Sequence, residues 1–263
     1  MTKQSCTCSE TASLSRRGLL GAAVGVGGLA AAGSAAAQGT RRGATSNPYR
    51  LAPTVNGKSA LTPDQALDLL KQGNRDFLAD RPFEAPVGNR RRLELASGQA
   101  PFAAYVSCSD SRVPPELLFG RGLGELFIVR NAGNTVDTTA LGSIEFAVGV
   151  LGVPLVVVMG HEACGAVKAA MDVVEKNATF PGSIGAMIEP IVPAVLASRG
   201  RPGDKTEQAV RANVSRQVQR LRTAAEPILL DPQRAGRVKV VGAYYDLDTG
   251  RVDFFDEPRA ARA

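Results

Sequence analysis

Residues 155–165 read Leu-Val-Val-Val-Met-Gly-His-Glu-Ala-Cys-Gly, and this stretch decides the fold. Leu155–Met159 is a continuous apolar run rich in β-branched valine, the pattern of a strand buried on both faces. Its end turns abruptly polar, and Ala163–Val174 resumes with the spacing of a helix. A doubly buried strand that hands over to a helix is the repeating unit of a parallel sheet covered by helices.

The same alternation extends in both directions. Phe102–Ser107 is a short apolar run that ends in Cys108-Ser-Asp110-Ser-Arg112, and Leu126–Val129 is another. Thr138–Leu151 carries helical spacing through Leu141, Ile144, Glu145 and Val148. Val238–Tyr245 reads as a further strand. The turn signal Asp248-Thr249-Gly250 then predicts Val252–Phe255 as its antiparallel partner. Upstream, Thr62 is a good N-cap and Pro63 suits the first helical position. Ala66, Leu67, Leu70, Phe77 and Leu78 form an apolar stripe that Gly73 weakens. Asn89–Ala96 reads as a second short helix. Residues 183–230 read as all-helical, broken near Pro190, Pro193, Gly200–Gly203 and Pro227. The expected class is α/β, a short and mainly parallel sheet flanked by helices, with an antiparallel strand near the C-terminus.

The chain has 263 residues, 44% hydrophobic and 21% charged, ordinary values for one globular domain. The net charge of +6 does not indicate a nucleic-acid partner, because the arginines are scattered and aromatics make up only 5%. No run reaches the ~20 apolar residues of a membrane-spanning helix. The N-terminus resembles an export signal of the twin-arginine type. Ser15-Arg16-Arg17-Gly18-Leu19-Leu20 opens a weakly apolar stretch to about Ala32, and Ala35-Ala36-Ala37 offers a cleavage site. The expected organisation is a signal peptide at 1–37, a flexible lead-in at 38–60 and a single domain at 61–263. Export implies the periplasm or cell envelope of a bacterium. Cleavage would also remove Cys6 and Cys8, leaving Cys108 and Cys164.

Open parallel sheets place their sites just past the carboxyl ends of the strands. Two such ends here supply Cys108, His161 and Cys164, with Asp110 as a fourth candidate. His161 is the only histidine in the chain. Zinc favours such a mixture of thiolate and imidazole, and three protein ligands leave one position for water. Cys164 would open a helix, where the partial positive charge favours thiolate. Other readings of the same residues stand beside this one. A lone histidine is commonly a surface or core residue, and two cysteines of an exported protein can form a disulfide. A disulfide accounts for neither His161 nor the Asp110–Arg112 pair.

Cys108-Ser-Asp-Ser-Arg112-Val-Pro, Val129-Arg-Asn-Ala-Gly-Asn134 and Gly160-His-Glu-Ala-Cys-Gly165 resemble the three signature blocks of β-class carbonic anhydrases, in order and spacing. The resemblance runs from about Thr62 to Phe255. It implies one Zn2+ per subunit, held permanently by Cys108, His161 and Cys164. It implies Asp110 and Arg112 as a catalytic dyad, with Asp110 on the metal only in a closed form. It further implies substrate contacts from Gln99 (reaching over from a neighbouring subunit), Phe127 and Gly165. Phe146 stands where some plant-type members carry tyrosine, and it is expected with Phe127 to line the apolar pocket for the substrate. The implied reaction is reversible hydration of carbon dioxide to bicarbonate and a proton, by attack of zinc-bound hydroxide, in a homodimer or higher even-numbered oligomer. With His161 on the metal, proton release falls to water, buffer, or a group such as Tyr105 or Glu162. The chain has no tryptophan, so the family's tryptophan-dependent regulatory bicarbonate site is not expected. Alternative functions are a carbonyl sulfide or carbon disulfide hydrolase on the same fold, and a non-catalytic zinc-binding protein. A phosphatase-type thiol enzyme is disfavoured, since only three residues separate Cys108 from Arg112 and Asp110 among them would repel phosphate.

Overall fold

The computed structural model describes residues 49–81 and 84–258. The export signal read at 1–37, with Cys6 and Cys8, lies outside them, as does the first part of the lead-in. The rest of the lead-in departs from the flexible segment expected. Thr54–Val55 (β1) and Lys58–Ser59 (β2) pair as a small antiparallel hairpin. Asn56 and Gly57, at φ 51° and 72°, supply the two left-handed residues that such a tight turn requires. The segment is also tied down. The Ala52 amide donates to Glu125 Oε1 at 3.0 Å, and the Tyr49 hydroxyl accepts from the Gly122 amide at 3.2 Å.

Helix α1 (Pro63–Leu78) begins as the sequence predicts. The Gln65 amide donates to Thr62 Oγ1, and the Gln65 side chain accepts from the Thr62 amide, a reciprocal cap. Ala66, Leu67 and Leu70 are buried, whereas Phe77 and Leu78 at the helix end are partly exposed. Gly73 has a packing reason: a Cβ there would lie 2.0 Å from the Phe119 carbonyl oxygen.

Five strands form the main sheet: β3 (Ala103–Ser107), β4 (Leu126–Arg130), β5 (Leu155–His161), β6 (Lys239–Tyr245) and β7 (Val252–Asp256), in the order β4-β3-β5-β6-β7. The first four are mutually parallel and β7 is antiparallel to β6. The remaining helices are α2 (Asn89–Leu95), α3 (Pro115–Leu118), α4 (Thr138–Gly149), α5 (Gly165–Lys176), α6 (Ser183–Ile188), α7 (Val192–Ser198), α8 (Lys205–Arg222) and α9 (Pro227–Arg234). Residues 183–222 thus hold three α-helices and a 3₁₀ turn at Glu189–Ile191, with the breaks at Pro190–Pro193 and Gly200–Gly203 where the sequence places them.

Alternation along the strands splits the core in two. Ala104, Val106, Val156 and Val158 join residues of α4, α8 and α9 on one face. Ala103, Tyr105, Leu155, Val157 and Met159 join α1 and α3 on the other. β3 and β5 are buried throughout, which explains their unbroken apolar sequence. Register pairs Ser107 with Met159, so the chain leaves β3 at Cys108 beside the end of β5 at His161.

Candidate metal centre

The strand ends bring Cys108, His161 and Cys164 together. Their ligand atoms all lie within 4.8 Å of one another, and all three residues are buried. The two Sγ atoms are 4.0 Å apart. Two Zn–S bonds of about 2.3 Å meeting at a tetrahedral angle hold their sulfurs about 3.8 Å apart, so the spacing fits a zinc ion. His161 Nδ1 is 2.8 Å from the Glu162 carbonyl oxygen. A proton on Nδ1 that donates there leaves the Nε2 lone pair facing the sulfurs, the usual backing of a metal-bound imidazole. Nε2 itself is buried with no hydrogen-bond partner among the described residues. A buried imidazole nitrogen without a partner is costly unless a cation takes its lone pair.

Local structure sets the three ligands. β5 delivers His161, and Ala163 at φ 53° turns the chain in the left-handed region so that Cys164 can open α5. That conformation costs an ordinary residue about 1–2 kcal/mol, the strain expected of a ligand-bearing turn. The Cys108 thiol is pulled down to about 4, first by the Cys164 thiol that donates to it, against burial, then by His161 and the amides of Gly133 and Asp110. Cys164 moves up because it keeps the proton facing that thiolate and because it is buried. Two buried sulfurs sharing one proton is the electrostatic state that a divalent cation relieves.

Asp110 stands at the rim. Its carboxylate accepts from Arg112 Nε at 2.9 Å and Nη2 at 2.7 Å, and from the Arg112 amide at 3.0 Å. The guanidinium, against partial burial, holds the carboxyl well below the usual carboxylate range. Asp110 Oδ2 remains 3.9 Å from His161 Nε2.

The remaining expected residues are placed as follows. Gln99 is exposed in the loop between α2 and β3, and no hydrogen bond ties it to the cluster among the described residues. Phe127 and Phe146 touch, with ring centroids 6.2 Å apart, and Phe146 is 46% exposed. Gly165 is the first residue of α5, and a Cβ there would meet nothing within 4 Å. Glu162 lines a polar cavity of about 450 Å³ on the α8 side, while its Oε2 accepts from the Leu247 amide. Tyr105 does not serve as a proton exit. It is fully buried on the α1 face, and its hydroxyl meets Met159 Sδ at 2.6 Å.

Residue types alone missed several supporting groups. Arg130 donates from Nε to the Cys108 carbonyl at 2.9 Å and from Nη2 to the Asp110 carbonyl at 2.6 Å, fixing the loop that carries both. The Gly133 amide donates to Cys108 Sγ at 3.5 Å. Both lie in the block Val129–Asn134, whose pattern was legible without a role for either residue.

Known proteins give the same picture. The sequence model described as carbonic anhydrase matches residues 103–252. A carbonic anhydrase of Mycolicibacterium smegmatis is 38% identical over 191 residues, 73% of this chain and 92% of its own length. Carbonic anhydrase 2 of Mycobacterium tuberculosis is 39% identical over 189 residues, 72% of this chain and 91% of its own. Among solved structures, a tetrameric β-carbonic anhydrase of Sordaria macrospora aligns with TM-score 0.56 at 25% identity, over 64% of this chain and 87% of the other. The Coccomyxa β-carbonic anhydrase in complex with acetazolamide aligns with TM-score 0.54 at 27% identity, over 75% and 87%. With its parallel sheet and its cysteine–histidine–cysteine cluster at two neighbouring strand ends, the chain belongs to the β-class carbonic anhydrase family.

Proposed function

We propose that the protein catalyses the reversible hydration of carbon dioxide at a zinc ion held by Cys108, His161 and Cys164. The observation that carries this is the unpartnered Nε2 of His161 beside two sulfurs 4.0 Å apart, with the fourth candidate, Asp110, held back by Arg112. Held by these three residues, a zinc ion would supply Lewis acidity enough to make water a nucleophile near neutral pH.

The side chains do the rest. Asp110 stays ionised, so it acts only as an acceptor and can orient the attacking water by taking its hydrogen bond. Arg112 keeps the carboxylate off the ligand cluster by a two-pronged grip. Carbon dioxide is apolar, and open space lies beside Gly165. The Phe127–Phe146 pair, level with Ala104 and so four residues before Cys108, walls the pocket only by reaching over from a neighbouring subunit. Bicarbonate is an anion, and the exposed guanidinium of Arg112 beside Asp110 offers it a positive charge at the rim of the site. Gln99, exposed and outside the cluster, acts on substrate across an interface between subunits. The half-exposed Phe146 of α4 and Val150 just past its end, next to the edge strand β4, favour a homo-oligomer with even subunit number. No helix among the described residues is long and apolar enough to cross a membrane. The twin-arginine pattern at 15–20 supports export to the periplasm, which N-terminal sequencing of the mature protein tests.

One experiment separates this function from its rivals. Metal content is measured beside carbon dioxide hydration and sulfide release from carbonyl sulfide, across pH. One zinc per chain with hydration that rises with pH supports the proposal. Sulfide release without hydration makes the protein a hydrolase of sulfur analogues. Zinc without either activity leaves a structural site.

A further inference from the structure

Helix α8 has no ligand of its own, yet a hydrogen-bond chain runs from it to the metal cluster. Asn213 and Gln217 are buried polar residues one turn apart on this helix. Gln217 Oε1 accepts from the Val136 amide at 3.0 Å, and Gln217 Nε2 donates to Asn213 Oδ1 at 3.2 Å. Asn213 Nδ2 in turn donates to the Gly133 carbonyl at 2.8 Å, and Gly133 donates its amide to Cys108 Sγ. Asn213 thus has both halves of its amide assigned, one to its helix neighbour and one to the loop that covers Cys108.

Gly133 has little freedom to satisfy that sulfur in another way. At φ 80° it is in the left-handed region, and a Cβ would fall 2.5 Å from Ile191 Cδ1 and 3.1 Å from Ala166 Cβ. Its backbone is pressed between the helical layer and the thiol. α8 also closes on the other ligand strand. A Cβ on Gly160, the residue before His161, would fall 2.5 Å from Val210 Cγ1 and 2.8 Å from Val214 Cγ2. One helix therefore holds the loop over Cys108, through Asn213, and packs on the strand end before His161, through Val210 and Val214.

We propose that Asn213, braced by Gln217, is a positioning residue for the metal centre, holding the Gly133 amide on Cys108 Sγ. The inference rests on the zinc reading above. An N–H···S bond draws electron density from a thiolate and fixes its lone pairs, and groups of this kind typically change metal affinity by about 10–100-fold. The competing reading is that Asn213 merely satisfies a buried carbonyl and contributes only to stability.

The test uses the full chain with zinc, and with cobalt in its place, in the wild type and in Asn213→Leu and Gln217→Met. Asn74→Leu is the control, because Asn74 is an equally buried asparagine that bridges Gly250 and Val252 on the α1 side, away from the cluster. The expected result is zinc release to a chelator roughly 10-fold faster in Asn213→Leu, and smaller but measurable acceleration in Gln217→Met. The sulfur-to-cobalt charge-transfer band moves to lower energy in both, since an unbonded thiolate gives up its electron more readily. Asn74→Leu lowers thermal stability and leaves band and release rate unchanged. Should Asn213→Leu fail to fold, Gln217→Met carries the same readouts. Unchanged band and release in the folded α8 variants, or equal shifts in Asn74→Leu, overturns the proposal. A wild type that takes up neither metal overturns the zinc reading itself, and this inference with it.

Discussion

Arg112 grips both carboxylate oxygens of Asp110 and so keeps Oδ2 at 3.9 Å from His161 Nε2 instead of letting it join the ligands. Removing the grip should let the carboxylate close on the metal. Arg112→Ala is expected to lose at least ~10-fold in hydration rate from about pH 7 to about pH 9. Arg112→Lys should not restore it, because an ammonium cannot bond both oxygens in a plane. Full activity of Arg112→Ala over that range would refute the gate.

The 4.0 Å between the two sulfurs makes a second outcome testable. In metal-free protein, hydrogen peroxide should join Cys108 and Cys164, the two thiols giving up their hydrogens as peroxide becomes two waters. Zinc-loaded protein should keep both thiols, because the metal occupies the lone pairs that would attack. Thiol counting and intact mass, with and without zinc, decide it. Equal oxidation of both forms would count against a metal held by these sulfurs.

His161 is the chain's only histidine, and Tyr105 is sealed in the core. Turnover should therefore climb with buffer concentration, buffer carrying the proton that no histidine is free to move. A rate independent of buffer would show an efficient internal carrier, and Glu162→Gln would then test whether it is Glu162.

Glu125 carries a pH-dependent term that can be isolated. It is 2% exposed, and burial raises its pKa above the ordinary 4.5. A carboxyl raised on folding contributes most stability below its unfolded pKa and loses that contribution as pH rises through the folded one. Glu125→Gln cannot ionise. It keeps one of the two oxygens that accept from Ala52 (Oε1) and Gly122 (Oε2) and loses the other bond at every pH, so the pH dependence and not the absolute stability is compared. The wild type should lose thermal stability relative to this variant as pH rises above 4.5. Melting curves of the two proteins at several pH values measure this, and parallel behaviour contradicts it.

Gly73→Ala sets two effects against each other. Alanine gains about 1 kcal/mol in an exposed helix interior. Here the new methyl would lie 2.0 Å from the Phe119 carbonyl oxygen, and backbone must move. Overpacking costs roughly 1–3 kcal/mol and backbone displacement adds to that, so the variant should be less stable. Denaturant unfolding gives the sign directly.

The strands were legible because burial on both faces writes itself as unbroken apolar runs. Leu155–Met159 and Phe102–Ser107 gave β5 and β3 to within two residues. The cysteine–histidine–cysteine cluster was legible because few residue types suit a metal and three of them stood at strand ends. Asn213 and Gln217 were not, since a buried amide in a helix looks like any polar residue until its partner, 80 residues away, is known. The β1–β2 hairpin was missed for another reason: Asn56-Gly57 was visible, but its strands are two residues long and exposed, so no apolar alternation flanked the turn.

The sheet order carries a last consequence. β3 and β5 are neighbours in space, but the whole β4–α4 excursion lies between them in the chain. Cys108 cannot meet His161 until that excursion has been made and the two strands have found their register. A nascent or partly unravelled chain holds scattered donors and no chelate. Metal uptake at such a site would report completed assembly: a cell that filled it before moving the protein onward would, in the same step, have inspected its fold.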